Sequence, residues 1–241
     1  ILLKEVPPTC HPLSAENKLV IAPGILTGTA AACSGRVSAG AKSPLTGTIK
    51  ESNSGGMGGI ALATLGIKAI IIEGRPNGDQ LKRLLVTKDG IQIEPADGLT
   101  KAGNYETMAA QHEEYGDKVV CFSIGQAGEM CSAAASIAVS DVEGRPTRHC
   151  GRGGLGAVMG SKRVKVIVVD ATDGQRPKPA DIEAFKKAAK KFAESLKAHP
   201  LTGETLPKFG TNILANVVNE AGAYPTRNFK DGQFEGTEAI S

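Results

Sequence analysis

The residues with the clearest chemical potential are basic ones set beside glycine. Arg148 precedes and Arg152 lies within the run Gly151–Arg152–Gly153–Gly154–Leu155–Gly156. Arg36 follows a Gly/Ala/Ser loop, and Asn53 opens a second glycine loop, Ser54–Gly55–Gly56. A guanidinium offers a planar fork of donors that matches phosphate oxygens in pairs. Glycine lets the backbone approach a ligand closely, and amide hydrogens at a helix start favour anions. Together these residues predict an anion site, with phosphate the foremost ligand. His149 adjoins the main loop, whereas His11, His112 and His199 show no ligand spacing.

Several other chemistries are disfavoured. Gly151-x-Gly153-x-x-Gly156, with Asp170 downstream, satisfies a dinucleotide fingerprint. Its context is wrong, because a strand should run straight into the first glycine and Val142 to Cys150 is charged and contains Pro146. Gly160–Ser161–Lys162 has the wrong order for a phosphate-binding P-loop. No Ser–His–Asp or paired-carboxylate arrangement can be argued. The five cysteines, Cys10, Cys33, Cys121, Cys131 and Cys150, are odd in number and lack CxxC spacing. They read as reduced thiols of a cytoplasmic protein rather than a disulfide framework or a complete zinc or iron–sulfur site. Aromatic residues are 4%, Trp is absent, and the net charge of +3 comes without a basic block, which argues against nucleic acid. No apolar run approaches the ~18 residues that would suggest a membrane span.

The elements that must position these residues come in two copies. Gly151 to Asp170 reads as a glycine loop, a short helix from Ala157 to Ser161, and a buried strand from Val164 to Val169. Gly55 to Glu73 repeats it: Gly55–Gly56–Met57–Gly58 matches Gly153–Gly154–Leu155–Gly156, and Ile70–Ile72 matches Ile167–Val169. Upstream, Asn17–Ile21 matches Asp117–Cys121, and each is followed by a glycine-containing turn. Two units about a hundred residues apart point to a duplicated domain rather than a solenoid. A pseudo-two-fold arrangement would bring both glycine loops to one axis and suit a ligand with two similar ends.

In chain order, Ile1–Glu5 reads as the end of a helix, and the chain opens without methionine. Strands are expected at Lys18–Ala22, Arg36–Ala41, Thr46–Glu51 and Lys68–Glu73. Leu81–Thr87 and Ile91–Glu94 form a hairpin around Lys88–Asp89–Gly90. Asn104–Tyr115 is a helix capped by Asn104. Lys118–Ile124 is a strand, Cys131–Val139 a further strand, and Ser140–Cys150 a polar loop. Thr172–Pro179 is a linker. Ala180–Ala198 is an amphipathic helix, and Thr205–Gly222 is another, broken near Gly210. The fold class is therefore α+β: a strand-rich domain over 1–171 made of two related sheets with short helices, then the beginning of a helical domain over 172–241. At 30 of 241 residues, glycine is well above its usual ~7%, as turns and close approaches demand.

The segments PLSAENKLVIAPGILTGT, SGRVSAGAKSPLTG, SNSGG, IGQAGE and GRGGLGAVMGSKRVK resemble the N-terminal domain of the tungsten-containing aldehyde:ferredoxin oxidoreductases. The resemblance runs from about Ile1 to Phe229. It implies an α+β base that carries a tungsten bis-pterin cofactor, with magnesium linking the pterin phosphates. Arg36, Asn53 and Gly55 would contact one pterin. Arg148, His149, Gly151 and Arg152 would contact phosphates or magnesium, with Asn53 and His149 reaching the metal through backbone carbonyls. No catalytic residue is expected in this chain. The acid/base residues and the four cysteines of a [4Fe–4S] cluster belong to further helical domains, and ferredoxin is the electron acceptor in the full-length enzyme, for which a homodimer stays open. The sequence departs from the family pattern where His149 and Cys150 replace small residues and where Ser140–Thr147 is longer. Two other readings stay open, a non-catalytic pterin carrier or assembly module and a nucleotide-binding regulatory domain.

Overall fold

A computed structural model describes residues 1–241 and divides the chain into two compact units, 1–179 and 180–241. The first unit runs α1 (Leu2–Glu5), β1 (Leu19–Pro23), β2 (Val37–Lys42), β3 (Ile49–Ser54), α2 (Gly58–Thr64), β4 (Ile70–Ile72), β5 (Lys82–Thr87), β6 (Gly90–Pro95) and α3 (Asn104–Tyr115). It continues through β7 (Val120–Ser123), α4 (Gln126–Glu129), β8 (Ile137–Val139), β9 (Arg148–Cys150), α5 (Leu155–Ser161) and β10 (Val164–Val169).

The strands make two sheets, β3-β2-β1-β4 and β6-β5-β10-β7-β8-β9. The second contains the first. Its segment β9-β8-β7-β10 repeats the order β3-β2-β1-β4, and every pairing in both is antiparallel. In each copy a short helix joins the outermost strand to the strand at the other end: α2 between β3 and β4, α5 between β9 and β10. The hairpin β5–β6 extends only the second sheet, with β5 parallel to β10. The fold is α+β, and the duplication is one of topology as well as of sequence.

Registers fix the equivalence residue by residue and shift the sequence match by one at its start. Ile21 stands opposite Ala39 and Ile70, and Phe122 stands opposite Val139 and Ile167. Ile21 therefore corresponds to Phe122, not to Cys121. The burial agrees, because Ile21 and Phe122 face one core while Cys121 faces the other.

One core lies between the sheets and includes both helices: Leu19, Ile21, Val37 and Ala39 from the first sheet, Leu62 from α2, Val158 and Met159 from α5, and Phe122, Val139 and Ile167 from the second sheet. A second core joins the other face of the second sheet to α3 through Met108, Cys121, Val166 and Val168. β10 is thus buried on both faces, which its near-continuous Val/Ile run requires. Its one lysine, Lys165, is fully buried and satisfied by the Glu129 carboxylate and by Ala102 O at 2.7 Å.

The copies pack reciprocally. α2 lies against β1 and β7, α5 lies against β1, β2 and β8, and the equivalent outer strands β3 and β9 meet. Met57 N–H donates to Ser140 O at 2.8 Å, from the first copy's helix start to the second copy's loop.

Three expectations are corrected. Cys131–Val139 forms a strand only over its last three residues; Cys131 has φ 55°, and turns occupy the stretch before Ile137. The supposed loop Ser140–Cys150 ends in β9, which pairs with β8. α3 is preceded by Gly103 as its cap, whose N–H donates to Glu106 Oε2 at 2.8 Å, while Asn104 Oδ1 accepts from Ser123 Oγ at 3.1 Å.

The second unit is described by itself. Asp181 caps α6 (Ile182–Ala198) by accepting from Ala184 N–H at 2.9 Å. A π-turn (Leu201–Thr205), α7 (Leu206–Phe209), a 3-10 turn (Gly210–Leu214) and α8 (Ala215–Glu220) follow. The expected helix over 205–222 is interrupted at Gly210, whose φ of 61° no continuing helix adopts. No residue of α6 is fully buried: Phe185, Ala189 and Leu196 of its apolar stripe are half-buried, and Ile182 and Phe192 are exposed.

The glycines of α5 generate a prediction. A Cβ on Gly160 would lie 2.7 Å from Gly128 C and closer still to its oxygen. Gly160→Ala should therefore destabilise the protein by about 1–3 kcal/mol, read as a lower urea midpoint. Gly151→Ala, where a Cβ meets nothing nearer than 3.9 Å, should leave the midpoint unchanged. Equal midpoints for both variants would contradict this packing.

Candidate functional site

The seam where β3 and β9 meet opens into a cavity of about 690 Å³. Arg36, Asn53 and Gly55 line it from the first copy, and Arg148 and His149 from the second. These five are residues that the sequence singles out, brought from two places about a hundred positions apart. Arg36 precedes β2, Asn53 sits near the end of β3, and Arg148 and His149 open β9.

The cavity is basic and uncompensated. No Asp or Glu lines it, and neither Arg36 nor Arg148 has a carboxylate within 4.0 Å. Arg36 is oriented instead by a neutral acceptor, its Nε donating to Asn53 Oδ1 at 2.5 Å. Asn53 Nδ2 in turn donates to Ser38 Oγ at 3.1 Å, and Ser38 Oγ to Glu51 Oε1 at 2.6 Å. A side chain on Gly55 would put its Cβ 3.3 Å from Arg36 Nη1, so glycine here leaves the guanidinium its room.

Arg148 is placed by the loop before it. Asp141, almost fully buried, accepts from Thr147 Oγ1 at 2.7 Å, from the N–H groups of Glu143 and Arg145 at 2.8 and 3.0 Å, and from Arg145 Nε at 3.1 Å. Burial alone would raise its pKa. The hydrogen bonds, from Thr147 first and then from Arg145 and Glu143, outweigh that and hold the carboxyl well below the usual range. The longer loop is therefore a folded turn around one carboxylate. His149 Nδ1 is hydrogen-bonded to Ser136 Oγ at 3.0 Å. Cys150 is buried, and burial pushes its thiol up to about 12.

Other residues stand apart from the cavity lining. Gly151 and Arg152 are exposed and do not line it; the Arg152 N–H donates to Ser52 Oγ at 3.1 Å, tying the loop to β3. Gly153, Gly154 and Gly156 are buried. Cβ atoms on Gly154 and Gly156 would lie 2.9 Å from Ala133 C and 2.7 Å from Ser136 C, and the Gly156 N–H is consumed by Ala135 O at 2.9 Å. These glycines let α5 press against the chain before β8, not against a ligand. The Gly156 N–H is therefore already paired within the protein. The dinucleotide fingerprint fails for the same reason, and because β9 and β10 run antiparallel with two strands between them.

Cys33, Gly35, Ser54, Gly56 and Thr147 also line the cavity without having been singled out as binding residues. Their small size next to Arg36 and Asn53 was the available signal. No group of three or more His, Cys, Asp and Glu side chains is arranged to hold a metal. No helix is long and apolar enough to cross a membrane.

Fold and cavity together define a class: a duplicated α+β platform whose two copies meet over a pocket lined by two arginines and no carboxylate. Residues 1–171 match the family model described as "Aldehyde ferredoxin oxidoreductase, N-terminal domain", and residues 187–241 match "Aldehyde ferredoxin oxidoreductase, domains 2 & 3". The chain belongs to the aldehyde ferredoxin oxidoreductase family. It is 44% identical to the tungsten-containing aldehyde ferredoxin oxidoreductase of Pyrococcus abyssi over 97% of its length, and 42% identical to that of Thermococcus kodakarensis over 98%. It is 28% identical to the aliphatic sulfonate oxidoreductase WOR-like subunit of Pyrococcus furiosus. The chain spans 37–38% of the length of these relatives. Among solved structures it is similar to the active-site complex BamBC of benzoyl coenzyme A reductase, with a TM-score of 0.73 and 30% identity over 81% of this chain and 28% of that one.

The Asp141 turn sets a pH dependence. A carboxyl whose folded pKa is depressed adds stability that is full above its unfolded value, about 3.9, and is lost as pH falls through the folded value. Between pH 5 and 2 the wild-type urea midpoint should fall more steeply than that of Asp141→Asn, which has lost this contribution at every pH. Parallel profiles would show that Asp141 does not carry the linkage.

Proposed function

We propose that this chain is the cofactor-binding part of a tungsten, or molybdenum, bis-pterin oxidoreductase that oxidises aldehydes to carboxylic acids with ferredoxin as electron acceptor. Residues 1–171 would be the tungstopterin-binding domain and 172–241 the beginning of a helical domain. The observation that carries the proposal is the cavity at the seam, with two guanidinium groups and no carboxylate. The tungsten-containing relatives support the choice of cofactor.

The residues present fit such a group. Arg36, held by Asn53, offers its remaining N–H donors to one pterin, and Gly55 lets the ligand and the guanidinium approach. Arg148 offers a second fork to phosphate. Asn53 and His149 occupy equivalent register positions, opposite Ser38 and Ala138. Their backbone carbonyls are the pair that would hold magnesium, and the duplication relates them to one another. Carbonyl oxygens suit a hard cation, and they explain how magnesium could bind without a side-chain cluster. Gly151 and Arg152 are assigned to the phosphates by family resemblance alone.

The bound cofactor supplies the two-electron chemistry. This chain's part is to bind, orient and neutralise it. Neither acid/base residues nor cluster cysteines are assigned here. The [4Fe–4S] cluster, the substrate pocket and the ferredoxin contact belong to the remaining helical domains of the full-length protein, which we place in the cytoplasm.

Arg36→Ala and Arg148→Ala, made in the full-length protein, should each lower pterin and tungsten retained through gel filtration by about tenfold, the scale of one charge-assisted contact. Arg36→Lys should restore only part, because an ammonium cannot reproduce the fork. Elemental analysis and pterin fluorescence read the outcome. Wild-type retention in both alanine variants would remove the site.

A further inference from the structure

The two copies hold their cavity residues by the same device with the lengths exchanged. Arg36 and Ser136 are equivalent, each immediately before the strand residue, Val37 or Ile137, that pairs with Ser54 or Cys150. Asn53 and His149 are the residues just before those partners. In the first copy the long side chain stands before the strand and the short one holds it, Arg36 Nε donating to Asn53 Oδ1. In the second copy Ser136 is the short member and His149 the long one, joined through Ser136 Oγ and His149 Nδ1 at 3.0 Å. Ser136 Oγ makes no other hydrogen bond in the protein, and His149 Nε2 makes none. Arg36 and His149 both line the cavity, whereas Ser136 does not.

We propose that the His149 imidazole is the second copy's counterpart of the Arg36 guanidinium, a ligand-binding side chain rather than a spectator on a backbone position. Ser136 Oγ–H donates to Nδ1, which leaves the ring proton on Nε2. Nε2–H then donates to a phosphate oxygen of the ligand. The inference rests on the reading that the cavity takes a phosphate-bearing ligand. It adds to that reading a positioning residue, Ser136, and an asymmetry: one half of the ligand meets a guanidinium fork, the other a single imidazole N–H whose direction is set by a hydroxyl. The backbone carbonyl of His149 is a separate matter, because replacing the ring leaves that carbonyl in place.

The test uses the full-length protein freed of cofactor and titrated calorimetrically with inorganic pyrophosphate. His149→Ala should weaken binding about tenfold, the scale of one hydrogen bond to a charged group. His149→Gln, which keeps a side-chain donor, should recover part of the loss. Ser136→Ala should weaken binding about threefold, the smaller effect expected of a group acting through another. Nitrogen-15 spectra of the histidines should show the proton on Nε2 in the wild type and a tautomer mixture in Ser136→Ala. Undiminished pyrophosphate binding by His149→Ala, or a wild-type proton on Nδ1, would overturn the inference. Arg36→Ala separates the two levels. If it loses pyrophosphate while His149→Ala does not, only this inference fails. If both bind as the wild type does, the phosphate reading of the cavity fails as well.

Discussion

Uncompensated positive charge is the constraint around which the first unit is arranged. Two guanidinium groups share a cavity with no acidic neighbour; elsewhere Arg83, Arg145 and Arg163 are paired with carboxylates, while Arg75, Arg152 and Arg176 are not. Like charges cost energy to hold together unless a counter-charge arrives. The structure places that cost at the seam between two copies, where Arg36 is held through its own side chain and Arg148 only through the chain before it. Asn53 does this for Arg36 without neutralising it. The Asp141 turn does it for Arg148 by fixing the chain just upstream while spending its carboxylate on Thr147 and Arg145. No carboxylate of the cavity lining pairs with either.

Duplication explains why the cavity exists where it does. Four antiparallel strands and one short helix recur, and reciprocal packing of α2 and α5 between the sheets brings the outer strands β3 and β9 together. The approach is close because glycines remove the atoms that would obstruct it. Gly58 and Gly59 let α2 settle against Phe122 and the Arg36 backbone, while Gly156 and Gly160 do the same for α5 against Ser136 and Gly128. These helix glycines thus act one layer behind the cavity lining. They position Arg36 and the Ser136–His149 pair, and only Gly35, Gly55 and Gly56 reach the cavity itself.

Much of this was legible in the residues. β10 announced itself by an unbroken Val/Ile run, the β5–β6 hairpin by Lys88–Asp89–Gly90, and the duplication by matching glycine–helix–strand units. Arg36, Asn53, Gly55, Arg148 and His149 were legible because basic residues beside glycine have few purely structural uses. Other features were hidden for physical reasons. β8 and β9 are three residues each, too short to carry a period-two pattern, and β9 carries Arg148 and His149 because its face lines a cavity. The role of Gly153–Gly156 could not be separated from ligand approach, since a glycine that admits a phosphate and one that admits a carbonyl leave the same trace in sequence. The one-residue offset between Ile21 and Cys121 went unseen because apolar residues flank both, and only strand pairing tells which face each takes.

The five thiols are distributed unequally with respect to the cavity. Cys10, Cys121 and Cys150 are buried, the last two with their thiols pushed up to about 12, and Cys131 is half-buried away from the cavity, whereas Cys33 is exposed and lines it. Alkylating reagents therefore meet Cys33 at the mouth of the very space a guest would fill, and the chain carries a built-in occupancy gauge. Slower labelling of that sulfur on loading would track filling without any turnover assay.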